Sequence, residues 1–235
     1  MKRAETVRLF KTMPHACGYY ADRIAENLVI DPAAPNLGQV YGGALAQGYR
    51  RSGGHLYRPA CPTCADCIAT RVAVADFRPN RTQSRVLRRN HDLKVRLLPA
   101  KAGPEHLALY QNYLATRHPG GGMDAADGDE FRQFLLTPFA RTMFLEARLG
   151  DQLLACAVTD ATEAGLSAVY TFFEPTLPQR SLGVFAILKQ IEYCRQLGLP
   201  YLYLGFWLDG HPKMAYKAGY QPQQRLGPDG DWQEA

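Results

Sequence analysis

From residue 166 to residue 206 the chain switches from strand to helix and back. Residues 166–173, rich in Val, Tyr, Thr and Phe, read as a strand. Val184, Ile187, Leu188, Ile191 and Cys194 then recur at helical spacing, Gly198 ends that helix, and Tyr201-Leu202-Tyr203-Leu204 opens a second strand. Strand, helix and strand joined by short loops form a βαβ unit, so the two strands should run parallel. Upstream, residues 142–149 and 152–159, joined at Gly150-Asp151, make an antiparallel meander with 166–173. The expectation is a mixed sheet with flanking helices.

Other segments complete this outline. Residues 93–98 read as a strand, Pro104 starts a helix running to about Arg117, and 129–136 gives a short helix. Between Gly120-Gly121-Gly122 and Asp127 a flexible loop is expected, and 212–218 reads as a last amphipathic helix. The first part of the chain is different in character. Residues 31–62 hold four Pro and six Gly, which predicts loops and tight turns rather than long elements. A short strand is expected over 71–75 and a helix over 81–89, with Asn80 as N-cap. The chain therefore divides into a cysteine- and arginine-rich N-terminal subdomain, 1–91, and a larger domain, 92–235.

With 235 residues and 46% hydrophobic content, the chain can bury a core without staples, and collagenous, mucin-like or wholly disordered classes are excluded. No signal peptide is visible and no stretch approaches the roughly 18–20 apolar residues of a membrane span, so a soluble, cytoplasmic protein with no membrane partner is expected. In that compartment closely spaced thiols read as metal ligands or reactive groups before disulfides. The net charge of +5 is only a mild push toward an anionic partner.

The order of elements, ending in Ala215-Tyr216-Lys217-Ala218-Gly219-Tyr220, resembles the N-acetyltransferase (GNAT) fold. In that fold a glycine loop after the central strand offers backbone N–H groups and a helix N-terminus to the pyrophosphate of coenzyme A. The corresponding run here is Arg180-Ser181-Leu182-Gly183-Val184-Phe185. Phe185 stands where a small residue would admit phosphate, so the donor expected is not coenzyme A; Gly183 also reads simply as a turn glycine before an ordinary helix.

Further blocks sharpen the resemblance. They are Cys17-Gly18-Tyr19, Gly48-Tyr49-Arg50-Arg51-Ser52-Gly53, Tyr57-Arg58-Pro59, Arg85-Val86-Leu87-Arg88-Arg89-Asn90, Ser167 to Phe173, Ser181-Leu182-Gly183, Leu199 to Trp207, and Lys213-Met214-Ala215-Tyr216-Lys217. Together they span roughly residues 8–232 and resemble the aminoacyl-tRNA–protein transferases of the N-degron pathway. Cys61-Pro62-Thr63-Cys64-Ala65-Asp66-Cys67 and Gly205-Phe206-Trp207 resemble the bacterial branch, the aspartate/glutamate leucyltransferases. The resemblance implies transfer of leucine from charged tRNA to proteins beginning with Asp or Glu. Arginyl transfer is the alternative within the family. A coenzyme A-dependent N-acetyltransferase and a non-catalytic RNA-binding module are alternatives of other classes.

An amine attacking an activated ester needs orientation, a proton acceptor and oxyanion stabilisation, but no covalent enzyme intermediate and no required cofactor. Tyr216 occupies the position of a general acid in many acetyltransferases, though it also suits the core. Asp209 and Glu174 follow the two parallel strands and are candidates to hold the ammonium and accept its proton; the alternative is a solvated carboxylate. For an acidic acceptor side chain, Arg50 and Arg51 are the candidate grips, with Ser52 as an extra donor and Lys213 and Lys217 nearby. Tyr170, Phe172, Phe206 and Trp207 suit apolar walls for leucine and equally suit a core.

Arg78, Arg81, Arg85, Arg88 and Arg89, extended by Lys94 and Arg96, make a basic stripe suited to tRNA phosphates; a plain solvated face has the same pattern. Cys61, Cys64 and Cys67, with Cys17 as a fourth, are candidate ligands for zinc or an iron–sulfur cluster, or else reduced structural thiols.

Overall fold

A computed structural model describes residues 6–117 and 127–235. The glycine loop expected before Asp127 lies outside the described residues.

Strands β1 (Leu9–Lys11), β2 (His15–Ala16), β3 (Ile24–Ala25) and β4 (Asn27–Ile30) precede helix α1 (Leu37–Ala46) and the hairpin of β5 (Arg50–Ser52) and β6 (His55–Pro59). β1, β4, β6 and β5 pair in that order as one antiparallel sheet, and β2 pairs with β3. Helix α1 replaces loops expected from the glycine content. Tertiary packing overrides the low propensity there: Tyr41 and Leu45 are buried, and a Cβ on Gly42 would lie 2.8 Å from Glu163 Oε1.

The remaining elements are β7 (Ile68–Ala73), α2 (Arg81–Arg89), β8 (Lys94–Pro99), α3 (Pro104–Arg117), α4 (Gly128–Leu135), β9 (Arg141–Leu149), β10 (Gln152–Thr162), β11 (Gly165–Phe173), α5 (Leu182–Gln196), β12 (Tyr201–Trp207), β13 (Gln223–Leu226) and β14 (Trp232–Glu234). Eight strands form one sheet in the order β14-β13-β7-β12-β11-β10-β9-β8. Its meander is antiparallel and β11 runs parallel to β12, as the periodicities predict. β7 lies between β12 and β13, so a boundary at 91/92 crosses this sheet rather than passing beside it.

Alternation along β10 separates the two faces. Ala155 and Ala157 pack toward α5, whereas Cys156 and Val158 pack with Tyr110 and Leu114 of α3 and Phe131 of α4. Phe144, Phe172 and Tyr110 are at most 1% exposed in the second cluster, and each large apolar side chain so buried contributes about 1.5–3 kcal/mol. Helix α2 closes over the α5 face through Val86 and carries the capping box its sequence suggests. Asn80 Oδ1 accepts from Gln83 N and Gln83 Oε1 from Asn80 N, both at 2.9 Å. The last expected helix is only a 3-10 turn, Ala215–Gly219, within which Lys217 turns inward.

Two irregularities set up the site. The β11–β12 ladder covers only Leu166–Leu202 and Ser167–Tyr203 before the strands part, and β12 slips its register against β7 between Tyr203 and Gly205. The carbonyls of Ala168 and Val169 thus face a gap rather than a neighbouring strand.

Candidate active site at the parted strands

Arg50 fills this gap. Its Nη2 donates to Val169 O at 3.2 Å and to Ala168 O at 3.4 Å, replacing partners β12 no longer supplies. Gly205, at φ +81°, makes room: a Cβ there would lie 2.1 Å from Arg50 Nη1. Among the described residues the Nε and Nη1 groups of Arg50 have no acceptor. A guanidinium held by one nitrogen with its other donors free is suited to gripping a carboxylate.

Arg51, its neighbour, does something else. Both its side chain and that of Asp160 are fully buried, with Nε–Oδ2 at 2.6 Å and Nη2–Oδ1 at 3.1 Å. Tyr41 and Thr142 hydroxyls donate to the same carboxylate, and Leu135 O accepts from Arg51. The expectation that Arg51 grips a substrate acid is therefore corrected. Adjacent strand residues point to opposite sides, and this one is committed to bonding β5 to β10.

Around Arg50 gather Lys217, Tyr19, Phe206 and Tyr216. Lys217 is 3% exposed and its Nζ donates to Phe206 O; burial first, then the Arg50 charge, hold its ammonium well below the usual lysine range. It is not the solvated cation an acidic substrate would meet at the surface. Tyr216 is half-exposed and its ring faces Lys217 Nζ at 5.9 Å, which removes the core alternative for it. Burial pushes the Tyr19 phenol up to about 12 against the pull of Arg50. Sequence reasoning passed over Tyr19 and Gly205 as site residues. Both stand in blocks it had singled out, which is the only signal that would have pointed to them.

The other candidates scatter. Glu174 accepts from Thr176 N, Thr176 Oγ1 and Asn112, capping its own turn, and Asp209, Lys213 and Ser52 are exposed. Phe172 is fully buried against Tyr110 and Phe131, so the core reading holds for it. Tyr170 packs edge-on against Tyr110, Tyr113 and Phe134. Trp207 is buried under the Arg225 guanidinium, 3.6 Å from the ring centroid, and Nε1 has no partner among the described residues. Phe185 is buried in the core beneath α5, and Arg180 is forked onto Asp92 at 2.9 and 2.8 Å. These hydrogen bonds pull the Asp92 carboxyl down to about 2. An arginine neutralised in this way is not presented to a pyrophosphate.

Arg81, Arg85, Arg88 and Arg89 are exposed along α2, with Arg78 before it and Lys94 and Arg96 exposed on β8. Cys17, Cys61, Cys64 and Cys67 line one cavity of about 570 Å³ together with Tyr19, Tyr57 and Phe206. Burial, then the neighbouring Cys17, Cys64 and Cys61, push the Cys67 thiol up to about 12. Arg23 donates to Cys64 Sγ at 3.2 Å and Cys61 donates toward Glu26 O at 3.7 Å. Among the described residues no group of three or more His, Cys, Asp or Glu is placed to hold a metal ion.

The family model for the arginine-tRNA-protein transferase N terminus matches residues 15–85, and that for its C terminus matches residues 105–227. The chain belongs to the aminoacyl-tRNA–protein transferase family. Among its relatives, the aspartate/glutamate leucyltransferase of Stenotrophomonas maltophilia (strain R551-3) is 51% identical over 226 residues, 94% of this chain and 90% of that one. That of Xylella fastidiosa (strain 9a5c) is 50% identical over 94% of this chain and 89% of its own. That of Alcanivorax borkumensis is 47% identical over 100% and 96%. A solved structure, L-PGS from Bacillus licheniformis, is a distant likeness, 8% identical with a TM-score of 0.47 over 77% of this chain and 54% of that one. Among the described residues no helix is long and apolar enough to cross a membrane.

Proposed function

We propose that the protein transfers leucine from charged tRNA to the α-amine of proteins beginning with Asp or Glu, working in the cytoplasm and marking its products for N-degron proteolysis. Identity of 51% over nearly the full length of a relative named for that activity carries the reading. The parted parallel strands and the helix that follows β11 support an acetyltransferase-like scaffold for it.

In the reaction the α-amine nitrogen attacks the leucyl carbonyl carbon, the new C–N bond forms and the C–O bond to the ribose breaks. One proton leaves the amine and one reaches the ribose oxygen, so the transfer is balanced with no covalent enzyme intermediate. Arg50 grips the acceptor carboxylate with its free donors. Tyr216, beside Lys217, is the candidate to protonate the leaving oxygen, and Asp209 and Glu174 remain candidates for the ammonium. The exposed arginines of α2 hold tRNA phosphates. The ester is already activated, so this chemistry needs no cofactor; metal analysis of freshly purified protein tests the cysteine set.

The deciding experiment supplies leucyl-tRNA, arginyl-tRNA or acetyl-CoA with peptides starting in Asp, Glu or Ala. Leucyl transfer to Asp and Glu peptides is expected. Arginyl transfer without leucyl transfer would move the chain to the other branch, and acetylation would overturn the donor.

A further inference from the structure

We infer that His211 is a positioning residue of the transfer site: as a neutral imidazole it fastens the loop after β12 to the segment carrying Tyr19, and its protonation unfastens the two. This rests on the leucyl-transfer reading and adds to it a proton that must be absent for the site to hold its shape.

The loop that follows β12 leads to the turn Ala215–Gly219, which carries Tyr216 and Lys217. His211 begins that turn, because Met214 N and Ala215 N both donate to His211 O at 2.9 Å. Its half-buried side chain reaches to a distant part of the sequence. His211 Nε2 lies 3.1 Å from Tyr19 O, and Lys213 N lies 3.2 Å from His211 Nδ1. Each contact has one possible direction. A carbonyl oxygen only accepts, so Nε2 carries the hydrogen; a backbone N–H only donates, so Nδ1 offers its lone pair. The neutral ring with its hydrogen on Nε2 satisfies both contacts, and neither the other tautomer nor the imidazolium does. A proton on Nδ1 would face the Lys213 N–H with no acceptor between them.

The surroundings do not compensate a positive ring. Tyr19 and Tyr20 meet the imidazole edge-on, each with ring centroids 5.7 Å away, and Leu208 and Met214 of the loop cluster with both tyrosines. Both phenols are raised, by burial first, Tyr19 to about 12. From its own loop come Asp209 and Lys213, exposed and with no printed bond from their side chains to the ring among the described residues. On the Tyr20 ring sits Arg23, itself ion-paired with Asp66 at 2.6 Å.

Two neighbours of Arg50 depend on this clasp. Burial raises the phenols of Tyr19 and Tyr216, and the Arg50 charge draws each back. Tyr19 lies on one side of the clasp and Tyr216, shortly after His211 in the chain, on the other. Unfastening therefore changes how both stand against Arg50, while the exposed arginines of α2 are left as they are.

Two side chains separate the two bonds. Gln reaches as far as Nε2 and keeps an N–H for Tyr19 O without titrating. Asn sets its oxygen where Nδ1 lies, so it keeps the Lys213 bond and loses Tyr19. The kcat/KM for leucyl transfer to one Asp-starting peptide is measured from about pH 8 to about pH 5.5 in the native protein, His211→Gln and His211→Asn. Protonation of the peptide amine is common to all three, so the ratio of native protein to either variant isolates the ring, even should one variant fail to fold. His211→Asn should lose about tenfold at the upper end, as a peptide KM effect with the leucyl-tRNA KM unaltered. The native-to-Gln ratio should fall about tenfold on acidification and level at the rate of the Asn variant, so the native-to-Asn ratio should approach one. Independently of turnover, long-range proton–nitrogen correlation spectra of histidine-labelled full-length protein report the tautomer and the half-protonation point of His211. A neutral ring with its hydrogen on Nε2 at the upper end, titrating where the ratio falls, is the expected result. The other tautomer, a ring already charged there, ratios flat with pH, or an unchanged peptide KM in the Asn variant would overturn the assignment while leaving the reaction in place. Absence of leucyl transfer in the native protein at every pH would instead overturn the reaction.

Discussion

Arg50 and Arg51 are adjacent in sequence, equal in charge and opposite in task. Arg51 and Asp160 make a fully buried bidentate pair, and removing either partner leaves an uncompensated charge in the core. Arg51→Ala or Asp160→Asn should therefore cost about 3–5 kcal/mol in urea unfolding. Arg50 is only partly buried and bonds to two carbonyls at the sheet gap. Arg50→Ala should change stability far less, yet raise the KM for an Asp-starting peptide and narrow its advantage over an Ala-starting one, with leucyl-tRNA binding retained. Equal destabilisation by the two Ala variants would show that both arginines are structural.

At the level of elements, α2 was the most readable part of the chain. Its limits, its Asn80 cap and its exposed arginines all match the sequence reading, because capping and periodicity act within a few residues. Charge reversal at Arg85 and Arg88 together should weaken tRNA binding and reduce the slope of log affinity against log salt by about one per lost phosphate contact. An unchanged slope would mean a solvated face only. Helix α1 was not readable, since two of its three glycines answer to what lies against them: a Cβ on Gly42 would meet Glu163, and one on Gly38 would lie 2.7 Å from Phe139 O. The terminal 212–218 segment failed in the other direction, shortened to a turn whose central lysine is drawn under β12.

For the whole molecule, the sheet places the arginine-bearing helix on one face and the cysteine cavity on the other, with the gap between β11 and β12 joining them. Transfer without a covalent enzyme intermediate, as proposed above, requires both substrates to be bound together before reaction. Initial rates at varied leucyl-tRNA and peptide should give intersecting double-reciprocal lines; parallel lines would mean a covalent leucyl-enzyme and a different chemistry.

What the chain determines by itself is local or inherited in blocks: the βαβ unit and the meander, set by periodicity; the caps, set by neighbours three residues away; and the family, carried by short runs in a common order. Only the tertiary structure decided which of two neighbouring arginines faces the site. In a strand successive side chains point to opposite sides, and the side that becomes core depends on Asp160, 109 residues further along. The same holds for the cysteines. Their spacing placed three of them in reach of one another, while the packing of Tyr19, Tyr57 and Phe206 around them made the cavity, because a concavity is a property of surfaces brought together from distant parts of the chain.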